Sequence, residues 1–216
     1  MPRSLPSIGA ASRIDARTAI AQRRVDELLE VAREAKNGSA IAIRTLILHI
    51  GPPMLMTVRK ILGAGHPDLD DVAQDAVIAL LNALGTFRGE STVLTFAHRI
   101  ALLTALAARR RNATRQRYHH TAALESDYEV EHKSPQSLLL AKRRREQLMA
   151  LLDELPTATA EALALHFVLG MTVDEIAEAA QSPQNTIWSR LRLGKQALRR
   201  KLTTNQNVAV LLAESE

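Results

Sequence analysis

The sequence contains no cysteine, which excludes a disulfide framework, a cysteine-bearing zinc site and a thiol nucleophile. Aromatic residues are scarce as well: one Trp, two Tyr and three Phe among 216 residues. The cores must therefore be filled by Leu, Ala, Ile and Val rather than by stacked rings. There is no Gly-rich phosphate loop, no His-x-x-x-His pair and no Gly-x-Ser-x-Gly elbow, so an enzyme reading finds no support. No cofactor and no metal are expected; His119-His120 reads as solvated. Residues 1–11 lack the apolar stretch of a secretory signal. No apolar run reads as approaching the ~20 residues of a membrane span. The expectation is a cytoplasmic chain with no membrane insertion.

What the chain does have is helix-forming material. Apolar residues make up 46%, and Ala and Leu with abundant Arg and Glu favour helix over strand. The 28 Lys and Arg exceed the 23 Asp and Glu, giving a formal charge of +5 and a pI near 10.0. That balance favours a polyanionic partner, with nucleic acid ahead of an anionic membrane.

Read along the chain, residues 1–11 form a Pro- and Ser-rich tail, and a helical pattern runs from Ser12 to Lys36 before an Asn37-Gly38 stop. A helix is expected from Ser39 to Ile50, interrupted by Gly51-Pro52-Pro53 because neither proline donates a backbone hydrogen bond. Another should begin at the prolines. The clearest amphipathic segment follows Pro67-Asp68. Leu69, Val72, Ala73, Ala76, Val77, Leu80, Leu81 and Leu84 recur at three- and four-residue spacing, with Asp70, Asp71, Gln74 and Asp75 on the opposite face. Gly85 should close that helix, and Ser91 should cap the next, which reaches about Arg111. Residues 112–136 break the pattern, first basic (Arg115, Arg117), then acidic (Glu125, Asp127, Glu129, Glu131), and read as a linker.

The strongest motif lies between Thr172 and Arg200. Thr172 and Glu175 make a capping box for a short helix, Val173 to Ala180. Gln181-Ser182 makes a tight turn, with Ser182 as cap and Pro183 at the first helical position. The next helix turns Ile187, Leu191, Leu198 and Leu202 inward and Gln184, Asn185, Trp188, Ser189, Arg192, Lys195 and Arg199 outward. Such a pair can set its second helix in a major groove, where Gln, Asn and Arg reach base edges and cations meet phosphates.

Here the chain resembles the sigma-70 family of bacterial transcription initiation factors, in its extracytoplasmic-function (ECF) subgroup. Leu155-Pro156, the stretch from Gly170 to Ala179, and Asn185-Thr186-Ile187-Trp188-Ser189-Arg190-Leu191 look like the family's fourth conserved region. The stretch from Asp68 to Val77, Phe87 to Thr92 and Thr95 to Ala101 look like its second. The resemblance covers roughly residues 39–202 and implies an all-α fold: a region 2-like helical bundle and a region 4-like helix-turn-helix joined by a flexible linker. It divides the chain into an N-terminal extension (1–38), a region 2-like domain (39–112), a linker (113–136), a region 4-like domain (137–202) and a tail (203–216). It implies that Asp71, Gln74 and Asp75 bind core RNA polymerase. Phe87, Arg88, Phe96, His98, Arg99, Arg109 and Arg110 then engage the downstream (−10) promoter element. Gln184, Asn185, Thr186, Trp188, Ser189, Arg190, Arg192 and Lys195 read the upstream (−35) element. Promoter DNA, core polymerase and an anti-sigma factor are the implied partners.

The chain departs from the family pattern at identifiable places. Phe96 stands where Trp is common, His98 where an aromatic is common, and Leu102-Leu103 where a polar pair often follows. Gln181 replaces the usual turn glycine, and Trp188 a commonly basic residue. Two other readings stay open on sequence: a helix-turn-helix regulator without promoter-melting activity, and a helical adaptor.

Overall fold

The computed structural model describes residues 27–118 and 135–204, all helices and short turns. The expected tails at either end and the acidic stretch of the linker lie outside those residues, as do the side chains of Arg115, Arg117 and Leu202.

Helix α1 (27–36) ends at Asn37-Gly38, where Gly38 takes φ 88°. Its Ala32 and Ala35 are buried, so this part of the extension belongs to the core of the first unit. Ser39 then caps α2 (Ala40–Leu62) by accepting a hydrogen bond from the Ala42 amide. The expected break at Gly51-Pro52-Pro53 is corrected by the structure: α2 is one 23-residue helix with both prolines inside it. Leu46, Ile50, Met54, Val58, Ile61 and Leu62 are all buried, so a continuous apolar stripe crosses the prolines. The amides lost at Pro52 and Pro53 would have bonded the carbonyls of Leu48 and His49, both exposed residues, where water can replace them. Tertiary packing along the stripe thus outweighs two missing ladder bonds.

By length and composition alone α2 could also cross a bilayer, a test that a buried core helix passes as well. Charged and proline positions hide this in a search for unbroken apolar runs. In the fold its stripe packs against α3 (Leu69–Ala83) and α4 (Val93–Tyr118), and these three helices form the body of the first unit.

The inward face of α3 is the one the spacing predicts, with Leu69, Val72, Ala76 and Leu80 buried and Asp70, Asp71, Gln74 and Asp75 exposed. The helix gives way at Gly85 to a single 3-10 turn (Leu84–Thr86). The next cap is Thr92 rather than Ser91: the Thr92 hydroxyl accepts from the Thr95 amide, while the Ser91 hydroxyl donates to the Thr92 carbonyl. Helix α4 runs to Tyr118, well past the expected end near Arg111 and into the expected linker.

The second unit comprises α5 (Pro135–Asp153), α6 (Thr157–Phe167), α7 (Val173–Ala180) and α8 (Gln184–Thr204). Residues 160–165 of α6 are all buried, because α8 covers one side and α4 another. A helical stretch hidden all round must be apolar, and residues 160–165 are, except for Glu161. Gly194 makes the α6–α8 crossing close. A Cβ there would lie 2.6 Å from Leu163 Cδ1 and 2.9 Å from Thr159 Cγ2. The buried residues of both units form one continuous cluster.

Candidate nucleic-acid and polymerase interfaces

The helix-turn-helix is built as its residues predict. Thr172 Oγ1 accepts from the Glu175 amide at 3.2 Å, and Glu175 Oε2 accepts from the Thr172 amide at 2.8 Å. Glu175 also lies in the first turn, where the helix dipole favours a carboxylate. Val173, Ile176, Ala177 and Ala179 are buried. Gln181 takes the left-handed conformation that glycine usually fills, φ 49° and ψ 45°. The turn is held by the Ser182 amide donating to the Ala177 carbonyl, 3.0 Å away. One detail differs from the sequence reading. Ser182 does not cap α8; its hydroxyl donates to the Ala180 carbonyl, and Pro183 supplies the first helical acceptor, to Ile187.

Helix α8 buries Ile187 and Leu191 and turns an uncovered face outward. Gln184, Asn185, Trp188, Ser189, Arg192 and Lys195 are exposed; Thr186 and Arg190 are half-buried. Trp188 is 58% exposed, in a surface depression it lines with Ser189, Leu191, Arg192 and Lys195. The Lys195 ammonium lies 4.9 Å from the centre of the exposed Phe167 ring, a cation–π contact. No acidic side chain occurs between residues 184 and 204, so this surface is cationic and fits a phosphate backbone.

The other residues expected on DNA separate into three environments. Arg88 is exposed, in a loop beside Glu90 at 3.9 Å. Phe87 and Phe96 face each other, ring centres 4.9 Å apart, and Phe96 is buried. Phe96 is therefore part of the core here and presents no free face to an unpaired base. His98 is half-buried, with Nδ1 2.7 Å from Thr57 Oγ1, and Thr57 Oγ1 donates to the Pro53 carbonyl. Burial, with the nearby Lys60 cation, pushes the His98 imidazole below its ordinary value.

Arg99, Arg109 and Arg110 form the third environment, along the side of α4 that meets the second unit. Arg99 Nε donates to Glu161 Oε1 at 2.5 Å. Arg109 donates through Nε and Nη2 to Asp153 Oδ2, at 3.2 and 2.9 Å. Arg110 reaches Thr157 Oγ1 at 2.5 Å and the Leu155 carbonyl at 3.2 Å. Neither Glu161 nor Asp153 figures in the sequence reading. A signal was present for Glu161: a lone carboxylate among Ala160, Ala162, Leu163, Ala164 and Leu165 must find a cation. Nothing local marks Asp153.

Asp71, Gln74 and Asp75 lie together on the exposed side of α3, away from its buried stripe. At the start of that helix, Asn112 Nδ2 donates to Asp68 Oδ2 at 3.0 Å, which ties α4 to the α3 N-terminus. His66 Nδ1 accepts from the Asp68 amide, and burial holds His66 below its usual value, ahead of a counteracting Asp68 charge.

A cationic, outward-facing helix-turn-helix on an all-helical two-part scaffold, with an exposed acidic face on α3, is the architecture of a helical DNA-binding factor. Comparison with known families agrees. Residues 46–115 match the model for sigma-70 region 2, and residues 145–198 that for sigma-70 region 4. The chain is 32% identical over 143 residues to the RNA polymerase sigma-H factor of Pseudomonas aeruginosa, covering 62% of this chain and 73% of that one. It is 25% identical over 189 residues to the ECF RNA polymerase sigma-E factor of Escherichia coli K12, covering 85% and 97%. Among solved structures, CnrH in complex with the cytosolic domain of CnrY aligns with a TM-score of 0.48 at 20% identity, covering 81% of this chain and 96% of that one. The chain belongs to the sigma-70 family of RNA polymerase sigma factors, in its ECF subgroup.

Proposed function

We propose that this chain binds core RNA polymerase through Asp71, Gln74 and Asp75 and directs it to promoters whose upstream element is read by α8. The protein acts in the cytoplasm, with polymerase, and needs no catalytic group of its own. The observation that carries this reading is the pairing, in one chain, of the acidic α3 face with the open cationic face of α8. A helix-turn-helix repressor needs no such acidic face. On α8, Gln184, Asn185, Thr186, Trp188, Ser189 and Arg192 are the base-reading set, with Arg190 and Lys195 on phosphates. On the first unit, Phe87, Arg88 and the α4 residues His98, Arg99, Arg109 and Arg110 serve the downstream element, with the buried Phe96 supporting Phe87 from the core. Of these, Arg99, Arg109 and Arg110 must first leave their partners on the second unit.

Transcription from a fragmented genomic library by bacterial core polymerase, with and without the purified chain, tests the function. New start sites that share two spaced upstream elements are expected. Core binding without new starts would leave a polymerase-binding, melting-deficient relative. Replacing Asp71 and Asp75 by Lys places like charge against a basic partner, at a cost of several kcal/mol. Core binding should fall by about a hundredfold or more, with the helical circular dichroism unchanged. Undiminished binding would refute the docking assignment.

A further inference from the structure

Phe167 closes α6, and it does nothing for the core. Its ring is 55% exposed, whereas residues 160–165 of the same helix are all buried. Packing gives no reason for a large aromatic side chain at this place. What the ring touches is specific. The Lys195 ammonium of α8 lies over its face. The His166 imidazole stands at 77° to it, with 4.7 Å between the ring centres. His166 is fixed in turn, since its Nδ1 lies 2.8 Å from the Met171 carbonyl oxygen; a carbonyl only accepts, so Nδ1 donates. The close α6–α8 crossing explains how ring and ammonium meet. Gly194 lies against Thr159 and Leu163 of α6. Phe167 is the next residue on that row, one turn beyond Leu163, and Lys195 follows Gly194.

We infer that Phe167 is a positioning residue for DNA binding: it holds Lys195 over its ring and so presents that ammonium, with its charge uncancelled, to the phosphate backbone beside the element that α8 reads. This deepens the assignment of Lys195 to phosphate and rests on it. The argument combines entropy and charge. A free lysine side chain loses much of its rotamer freedom when it meets a phosphate, and holding it beforehand removes part of that loss. A carboxylate can hold a lysine too, as Glu154 holds Lys201 further along α8. That kind of partner neutralises the charge the phosphate needs. A ring face attracts the cation through its quadrupole and adds no net charge. The ammonium keeps donors on the side away from the ring for a phosphate oxygen. Trp188 and Arg192 share the outward side of α8 with Lys195, and all three line one surface depression. Phe167 comes from α6, so the surface that meets DNA extends beyond the helix-turn-helix itself.

The test has two arms, both on the full chain. In the first, lysine Cε atoms are labelled with carbon-13. Protons above a ring face are moved upfield by the ring current. The Lys195 Hε signal, assigned by its disappearance in Lys195→Gln, should therefore lie upfield of those of Lys36 and Lys60. Phe167→Leu should return it to the common position, and Phe167→Tyr should keep it upfield. A Lys195 signal at the common position in the native chain would overturn the inference.

In the second arm, binding of a fluorescein-labelled duplex of mixed sequence is followed from about 50 mM to about 200 mM salt. Lys195→Gln should weaken binding and lower the salt slope by about one. Phe167→Leu should weaken it by about two- to fivefold, the range of an exposed cation–π contact. Phe167→Tyr should restore native affinity, which a mere packing defect would not predict. In the Lys195→Gln background, Phe167→Leu should cost nothing further. An equal loss in that background would make the ring a direct DNA contact and overturn the positioning role, as would full affinity in Phe167→Leu or no rescue by Phe167→Tyr. If Lys195→Gln binds like the native chain, the phosphate assignment of Lys195 fails and the inference with it, even where the upfield signal shows that ring and ammonium still meet.

Discussion

The chain carries two cationic helical surfaces, and they are in opposite states. The face of α8 is open: Arg192 and Lys195 meet solvent, and among the described residues no carboxylate pairs with them. The face of α4 is occupied: Arg99 and Arg109 are spent on Glu161 and Asp153. On paper these arginines are equivalent. In the fold, Arg192 faces solvent and contributes almost nothing to stability, whereas Arg99 and Arg109 are tied to carboxylates of the second unit and help hold the units together. Net charge alone therefore overstates how much of the protein can meet DNA at once.

The comparison breaks most visibly at Arg99. Arg99→Ala leaves Glu161 buried without its cation and should destabilise the chain by about 3 kcal/mol, toward the low end for a broken buried pair because Arg99 keeps some exposure. Arg192→Ala should leave stability within about 0.5 kcal/mol. Urea unfolding of the two variants side by side decides the point, and equal losses would remove the distinction drawn here.

Next comes the packing that holds the open face in position. Gly194→Ala drives a Cβ into Leu163 and Thr159 and should cost about 1–3 kcal/mol. The melting temperature should fall, and α8 should lose DNA affinity only in proportion to the unfolded fraction. A variant as stable as the parent would mean that the α6–α8 crossing is looser than 2.6 Å implies.

A smaller effect sharpens what the open face reads. Trp188 presents its indole beside two cations, and the apolar group available in the major groove is the thymine methyl. Replacing single thymines of the upstream element by deoxyuridine should cost up to about 0.8 kcal/mol at one position. Trp188→Ala should abolish that difference. A uniform loss at every position would instead make Trp188 a backbone contact.

The smallest effect is a pH dependence confined to the first unit. His98 and His66 are both held below the ordinary 6.5 in the folded chain, mainly by burial. Between the unfolded and the depressed folded values, the unfolded chain binds protons that the folded chain refuses. The stability contributed by the neutral rings is therefore complete above about pH 6.5 and is lost as the pH falls below it. His98→Asn should flatten the decline in stability between about pH 7 and about pH 5. An unchanged slope would assign it to His66 or to the carboxylates.

The local elements were legible because their signals are local. The α3 stripe, the Thr172–Glu175 capping box and the outward residues of α8 follow from spacing and cap chemistry, and all three appear where the sequence reading has them. The failures were tertiary. Pro52 and Pro53 read as a break because the packing that carries α2 across them comes from α3 and α4, distant in the chain. Arg99, Arg109 and Arg110 read as free cations because their partners lie 44 or more residues away. Ser182 is a local exception: it stands where a cap is expected, but its hydroxyl donates to the Ala180 carbonyl instead of accepting from an α8 amide.

The unbroken α2 has a consequence for how the protein is made. Residues 40–62 leave the ribosome before 69–83 and well before 93–118, the segments whose packing supports the helix across its prolines. During that interval the nascent segment has no partner for its apolar stripe and two gaps in its hydrogen-bond ladder. Among the described residues it is also the one helix long and apolar enough to cross a membrane. The continuous helix is thus a late product of synthesis, completed only when α4 arrives, and the newborn chain is most in need of shelter in the window before that happens.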